Sequence, residues 1–295
     1  MMNKAGSAST FQLRFARTDP EAMLGLPRGR FTNPSMLTSG LLAAAMMAVL
    51  YGAAYQFSHR PGSTGELAWT YLTGFDRIPI FIAILTCWSI AILAMKVLKI
   101  RAQRRALALS FAPRDPMWVL NGSTADAVIA SIGAAVEEPE QFMYLRRTLG
   151  VLRTMRNIGR VGDVEELLES RSGADEAVID SGYNPVKAFI WGIPVLGFIG
   201  TVLGLTTATG NFGKVLSDPE MKRNLEALAS GLTAVLGGLD TAFVTTAEGL
   251  IAAFFLYMAQ MIVKQMDERL LDDIRDACST QVVARVRIDD PRSMR

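Results

Sequence analysis

Charges are spread unevenly along this chain, and four long stretches nearly exclude them. Residues 36–57 (MLTSGLLAAAMMAVLYGAAYQF) carry none. At about 1.5 Å of rise per residue, a helix of that length covers roughly 30 Å, the thickness of a bilayer's hydrocarbon. Residues 78–95 (IPIFIAILTCWSIAILAM) form a second uncharged run, and Lys96, Lys99, Arg101, Arg104 and Arg105 follow at once. A third run occupies 188–213 (AFIWGIPVLGFIGTVLGLTTATGNFG); its last residues read as loop, which sets the span at 188–210 and a loop at 211–227. The fourth, residues 228–263, is apolar but contains Asp240 and Glu248, and it exceeds the length one crossing needs. One end of it is expected to project from the bilayer as continuous helix. The pattern predicts an all-α, polytopic membrane protein with four transmembrane helices. Its final helix extends into the cytoplasm, and a helical cytoplasmic segment joins spans two and three.

Basic residues give the orientation. Residues 1–35 hold Lys4, Arg14, Arg17, Arg28 and Arg30 against two acids, whereas the 58–77 loop has only Arg60 and Arg77. With the basic cluster after the second span, this places 1–35, 96–187 and the 264–295 tail in the cytoplasm. The loops 58–77 and 211–227 then face outward. Lys214, Lys222 and Arg223 in the second loop count slightly the other way, but an even number of spans returns both termini to one side. No small-residue cleavage pattern closes the first apolar run, so it is expected to stay as a span.

The 96–187 segment is near neutral in charge and reads as helix. Pro113, Pro116 and Asn121-Gly122 break it, a short helix follows at 123–135, and 139–157 puts Phe142, Leu145, Leu149 and Leu152 on one helical stripe. Gly159, Gly162 and Gly173 are expected to loosen or interrupt what comes after. Glu137-Glu138 and Arg146-Arg147 read either as solvated surface or as contacts to another protein. In the tail, Met266, Leu270, Ile274, Ala277 and Val282 keep an apolar edge on a charged helix, which suits a bundle or oligomer contact. The last eight residues are polar and expected to fray.

Composition then excludes function classes. Half of the 295 residues are hydrophobic and 20% charged, a total that a large soluble core could also explain; the clustering is what points to a membrane. A net charge of +2 offers no strong field for nucleic acid. Two cysteines, Cys87 and Cys278, rule out a disulfide-built scaffold. The single histidine, His59, lies in the outer loop, away from any role as general base or metal ligand within the membrane. Asp240 has no aspartate partner in another span, and no phosphate-binding lysine follows the glycines near Gly197. No enzyme, cofactor or metal site is expected.

The third span is dense in small and hydroxyl residues. Gly197, Thr201 and Gly204 share a face, and Gly200 and Gly204 form a small-xxx-small pair permitting close helix approach. Pro194 precedes them. Thr201 reads in two ways, as a hydroxyl offered to a polar interior or as one bonded to its own i−4 carbonyl. In the fourth span, Thr241, Thr245 and Gly249 lie at i, i+4 and i+8, with Thr246 beside them. Asp240 and Glu248 are about 80° apart and border the same broad face. A carboxylate in hydrocarbon costs several kcal/mol and normally faces a bundle interior or water. Asp240 lies either on that polar seam or near the outer headgroups. Glu248 is deeper, and serves ion passage or gating, pairs with an arginine, or stays protonated within the packing.

Two elements in these spans resemble the MotA/TolQ/ExbB proton-channel family. The first is Ile193-Pro194-Val195-Leu196-Gly197-Phe198-Ile199-Gly200-Thr201-Val202-Leu203-Gly204-Leu205, and the second is Thr246-Ala247-Glu248-Gly249-Leu250-Ile251-Ala252-Ala253. The resemblance is strongest over 188–265. It implies a multi-pass subunit of the bacterial inner membrane, assembled as a homo-oligomer, usually a pentamer, around two copies of a single-span partner similar to MotB, TolR or ExbD. That partner supplies a membrane aspartate that takes up and releases H+ or Na+, and ion flow moves the ring relative to it. The resemblance gives Thr201 and Thr246 the ion route, with Thr245, Thr241, Glu248 and Asp240 as further polar candidates beside it. Pro194, Gly197, Gly200, Gly204 and Gly249 are the packing positions. Two departures stand out: Phe255 replaces the family's usual proline, and Glu248 replaces an apolar or neutral residue. A non-conducting scaffold that keeps the same packing is the other reading.

Overall fold

The computed structural model of the chain describes residues 13–58, 77–109, 111, 118–154, 161–219 and 224–286. Several expectations fall outside the described residues: Lys4, residues 59–76 of the 58–77 loop with His59 and Arg60, Pro113 and Pro116, Asn157 and Gly159, Lys222 and Arg223, and the final eight residues. In chain order the elements are strand β1 (Leu13–Arg14) and helices α1 (Pro20–Met23), α2 (Met36–Ser58), α3 (Ile78–Leu107) and α4 (Gly122–Ala135). Strand β2 (Val136–Glu137) follows, then α5 (Met143–Thr154), α6 (Val161–Ser181), α7 (Asn184–Ser217) and α8 (Leu225–Gln281). Among the described residues the protein is all-α except for a short parallel pairing, Leu13 with Val136 and Arg14 with Glu137, and an isolated parallel bridge between Leu120 and Val286. Four helices, α2, α3, α7 and α8, are long and apolar enough to cross a membrane. The final helix is the longest, at 57 residues.

The chain divides into two compact units. One comprises Ser39–Leu93 and Tyr183–Ile262, and so holds the apolar parts of the four long helices. Its core gathers Ile82 of α3, Ile193 of α7 and Ala253 and Leu256 of α8. Helix α7 does not stop at residue 210 as the sequence suggested; residues 211–217 continue it to Ser217. Gly210 and Gly213 cost helix propensity, but neither breaks the hydrogen-bond ladder. The stop comes at Asp218, held extended at φ −81° and ψ 119°. It precedes Pro219, whose ring disfavours helical geometry in the residue before it. Asn224 opens α8, its Oδ1 accepting from Glu226 N at 3.0 Å, a side-chain cap for a free backbone donor.

The other unit comprises Met1–Thr38, Ala94–Gly182 and Val263–Arg295. Phe142, Leu145, Leu149 and Leu152 are all buried, as their spacing predicts, but they do not share one helix. Glu138 takes a left-handed conformation, Pro139–Gln141 forms a 3-10 turn, and Phe142 is extended before α5 begins. Gly173 does not interrupt α6, which runs unbroken from Val161 to Ser181. A single glycine costs about 1 kcal/mol, too little to end a helix of six turns. In the tail, Leu270, Ile274 and Val282 are buried along the predicted edge, joined by Cys278, while Met266 and Ala277 are half-buried. Val282 packs with Leu120, Val128 and Leu152, so that end of the edge is used within the chain.

Arg147 is also not a surface residue. It is buried, with Nε donating to Asp175 Oδ2 at 2.8 Å and Nη1 to Ser172 Oγ at 3.3 Å. Arg146 donates to the other oxygen of the same carboxylate. The solvated reading survives only for Glu137 and Glu138, which are exposed and pair with Arg14 and Arg28.

A buried ionic cluster holds the N-terminal residues to this unit. Asp19 caps α1, accepting from Glu21 N at 2.8 Å. The Glu21 carboxylate accepts from Gly29 N and Ser35 N, each at 2.6 Å. Lys99 Nζ then lies 2.7 Å from Glu21 and 3.1 Å from Asp19. One turn earlier, Lys96 Nζ contacts Asp267 at 3.2 Å and Asn33 Oδ1 at 2.8 Å. Both lysines have no exposed surface. Such a cluster adds modest net stability, but removing one charge strands the others. Lys99→Met should therefore lower unfolding stability by about 3–5 kcal/mol. Arg104→Met, at the exposed Asp273 pair, should cost less than about 1 kcal/mol. Thermal unfolding of the purified protein in detergent checks both, and equal losses would show that burial does not set the difference.

Candidate functional site

The buried positions of α7 and α8 within the membrane-helix unit have one spacing. On α7 they include Ile193, Gly197, Gly200, Gly204 and Ala208; on α8 they include Gly238, Ala242, Thr245, Gly249 and Ala253. Steps of three and four residues keep each set on one helical face. The faces meet antiparallel, with Gly197 against Thr245 and Gly249, Gly200 against Thr245, and Gly204 against Gly238 and Ala242. The backbones are so close that side chains are excluded. A Cβ on Gly204 would lie 2.6 Å from Gly238 O and 2.7 Å from Ala242 N, and one on Gly197 would lie 2.8 Å from Thr245 O. One on Gly200 would run into the Thr245 side chain. This is close approach through small residues, in which dispersion contacts and polar pairs replace a hydrophobic drive that lipid does not supply.

Two hydroxyls sit in this seam and bond to each other, Thr201 from α7 and Thr246 from α8. Thr201 Oγ1 also reaches Ala242 O at 3.0 Å, and Thr246 Oγ1 reaches Gly197 O at 3.1 Å. Each hydroxyl carries a single proton. When one donates across the seam to the other, the acceptor turns its own proton to a carbonyl, and the direction can reverse. The two readings of Thr201 thus combine: its contact with the Gly197 carbonyl four residues back is the longer one, at 3.4 Å.

The remaining predicted residues divide. Thr245 is buried against Gly200, but its hydroxyl donates back to Thr241 O at 2.9 Å. Its reach across the seam to Gly197 O is longer, at 3.5 Å, and Thr241 donates to Gly237 O at 2.9 Å, so the shorter bonds of both run along their own helix. Asp240 is exposed on α8. Glu248 is half-buried and stands about 160° around α8 from Thr246, so the helix turns it away from the hydroxyl pair. Its Oε2 is enclosed and has no hydrogen-bond partner among the described residues. Pro194 is half-buried within α7 and has no N–H for the Ile190 carbonyl, one turn before the glycine face begins. Tyr51 of α2, which the sequence did not single out, carries an enclosed hydroxyl that also has no hydrogen-bond partner among the described residues, and it lies within electrostatic range of Glu248. A tyrosine in the middle of an otherwise apolar span was the available signal.

Elsewhere, a cavity of about 500 Å³ in the other unit is lined by Arg147, Glu165, Ser172, Arg275 and Cys278, and contains none of the predicted site residues. Among the described residues no three His, Cys, Asp or Glu side chains gather as a metal site would require.

These features define a helical protein of multi-span membrane architecture with a hydroxyl-bearing glycine seam. Residues 148–276 match the family model of the MotA/TolQ/ExbB proton channel family, a stretch that includes all of α7, the seam and most of α8. The match covers 129 of the 295 residues, less than half of the chain, and together with the four long apolar helices it marks a likeness to that family of channel proteins. No curated protein and no solved structure matches the chain.

The seam makes a contrast that sequence hydrophobicity does not. Gly204→Val should force α7 from α8 and lower the thermal midpoint and folded yield in detergent. Gly192→Ala, where a Cβ meets nothing within 4 Å, should leave both unchanged. Equal tolerance of the two would show that the close approach is not needed.

Proposed function

We propose that the chain is the ion-conducting subunit of an ion-driven motor complex in the bacterial inner membrane. The observation that carries this reading is the Thr201–Thr246 hydroxyl pair, bonded across the α7–α8 seam within the stretch that matches a proton channel family. Paired hydroxyls whose donors can reverse are suited to passing a proton, or to solvating a small cation, beside an acid that titrates. By the resemblance, that acid is a membrane aspartate on a single-span partner. Copies of this chain would form a ring, a pentamer by the same resemblance, around two such partner helices. Ion flow would move the ring against the partner, which acts on the cell envelope. The basic residues flanking the first two spans support cytoplasmic termini.

The scaffold reading has one observation in its favour: both hydroxyls also have backbone carbonyls to bond, so packing alone satisfies them. Conduction separates the two. Co-expressed with its partner in vesicles, Thr201→Val or Thr246→Val should lower proton flux about tenfold, the effect of losing one hydrogen bond at the rate-limiting step, while the complex still assembles. Wild-type flux in both variants would favour the scaffold. Replacing Na+ by K+ in the same vesicles identifies the ion.

A further inference from the structure

Four enclosed side-chain polar atoms of the membrane-helix unit lack hydrogen-bond partners among the described residues: Thr86 Oγ1 on α3, Gln260 Oε1 on α8, and those of two ionisable groups, Tyr51 Oη on α2 and Glu248 Oε2 on α8. The last two come from different helices. They lie within electrostatic range of one another. Helix register places the two residues at the same depth independently. Trp88 Nε1 of α3 donates to Ser39 Oγ of α2 at 3.2 Å, which fixes the level of those two helices. Successive spans run in opposite directions, so Tyr51, about three turns beyond Ser39, comes level with the start of α3 near Ile78. On the other side, Ile82 of α3 packs with Ala253 and Leu256 of α8. Consecutive spans alternate, so α3 and α8 run the same way, and Glu248, between one and two turns before Ala253 and Leu256, reaches that same level.

A carboxylate and a phenol enclosed together in apolar helices are costly when neither is satisfied. A carboxylate needs a donor, a cation or a proton, and a phenol supplies one donor and an acceptor. Ionisable side chains inside spans are expensive to keep and mark ion or proton paths. Glu248 faces away from Thr201 and Thr246, so those hydroxyls do not serve it.

We propose that Tyr51 and Glu248 form a second site for a monovalent cation, H+ or Na+, inside each protomer and separate from the α7–α8 hydroxyl pair. Glu248 is the group that takes the ion; Tyr51 positions its carboxyl and completes its bonding. The use of the site in transport rests on the conducting reading above, but its existence does not. An ion held here ties α2 to α8, so occupancy changes how firmly the first span is held against the last.

The test uses the purified full-length chain in detergent and dicyclohexylcarbodiimide, which modifies carboxyl groups in apolar surroundings, with the modified residue found by mass spectrometry. Glu248 should be labelled, and Glu248→Gln should remove that label. Tyr51→Phe, which keeps the ring and its packing, should change the labelling rate several-fold with an unchanged thermal midpoint. Thr201→Val should leave the rate as it was. Protection by NaCl but not by choline chloride assigns the ion as Na+, and absence of protection assigns H+; either upholds the site. No labelling of Glu248, or a rate indifferent to Tyr51→Phe, would overturn it. Normal flux in the two threonine variants with Glu248 labelling intact would remove the conducting reading and leave this site standing.

Discussion

The close approach of α7 and α8 is the constraint on which the rest of the membrane part depends. Helices in lipid gain little from hiding apolar side chains, so their contact must come from surfaces that fit closely. Gly197, Gly200, Gly204, Gly238 and Gly249 let the two backbones nearly touch, and only at that separation do the Thr201 and Thr246 hydroxyls meet each other and the carbonyls of the facing helix. The glycines that look unfavourable for helix formation thus create the polar pair. Packing and chemistry have one cause here.

The other unit is held by a different kind of interaction. Lys96 and Lys99 follow an apolar stretch of α3, where flanking lysines ordinarily reach out to the interface. Here both are buried among Asp19, Glu21, Asn33 and Asp267. A buried ion cluster adds little net stability compared with apolar packing, but it admits few alternative arrangements. It fixes the residues before α2 to the parts of α3 and α8 that lie in the same unit.

Much of this was legible in the residues. Four apolar runs of span length, two of them flanked by basic residues, left little choice of fold class. The glycine spacing put Gly197, Gly200 and Gly204 toward one side of the third long helix, and in the structure their backbones lie close to the fourth. Local chemistry was less legible. Residues 211–217 continue α7 because the effective stop is the Asp218-Pro219 pair, and Gly173 leaves α6 intact because neighbouring turns carry the ladder across it. Arg147 looked like surface because its partner, Asp175, is 28 positions away. Tyr51 was passed over because its significance lies in a residue almost two hundred positions further on.

By itself, the sequence determined what repeats along one helix: length, apolar content, and which positions share a face. Those properties follow from the rise and turn of a single helix and need no partner. The tertiary structure alone decided what each polar group meets. It joined Thr201 to Thr246, turned Glu248 away from both, and buried two lysines that charge counting had read as membrane flanks. Spacing along a helix fixes the direction a side chain leaves it. What lies in that direction is set by helices far along the chain, whose register depends on which backbones can come close.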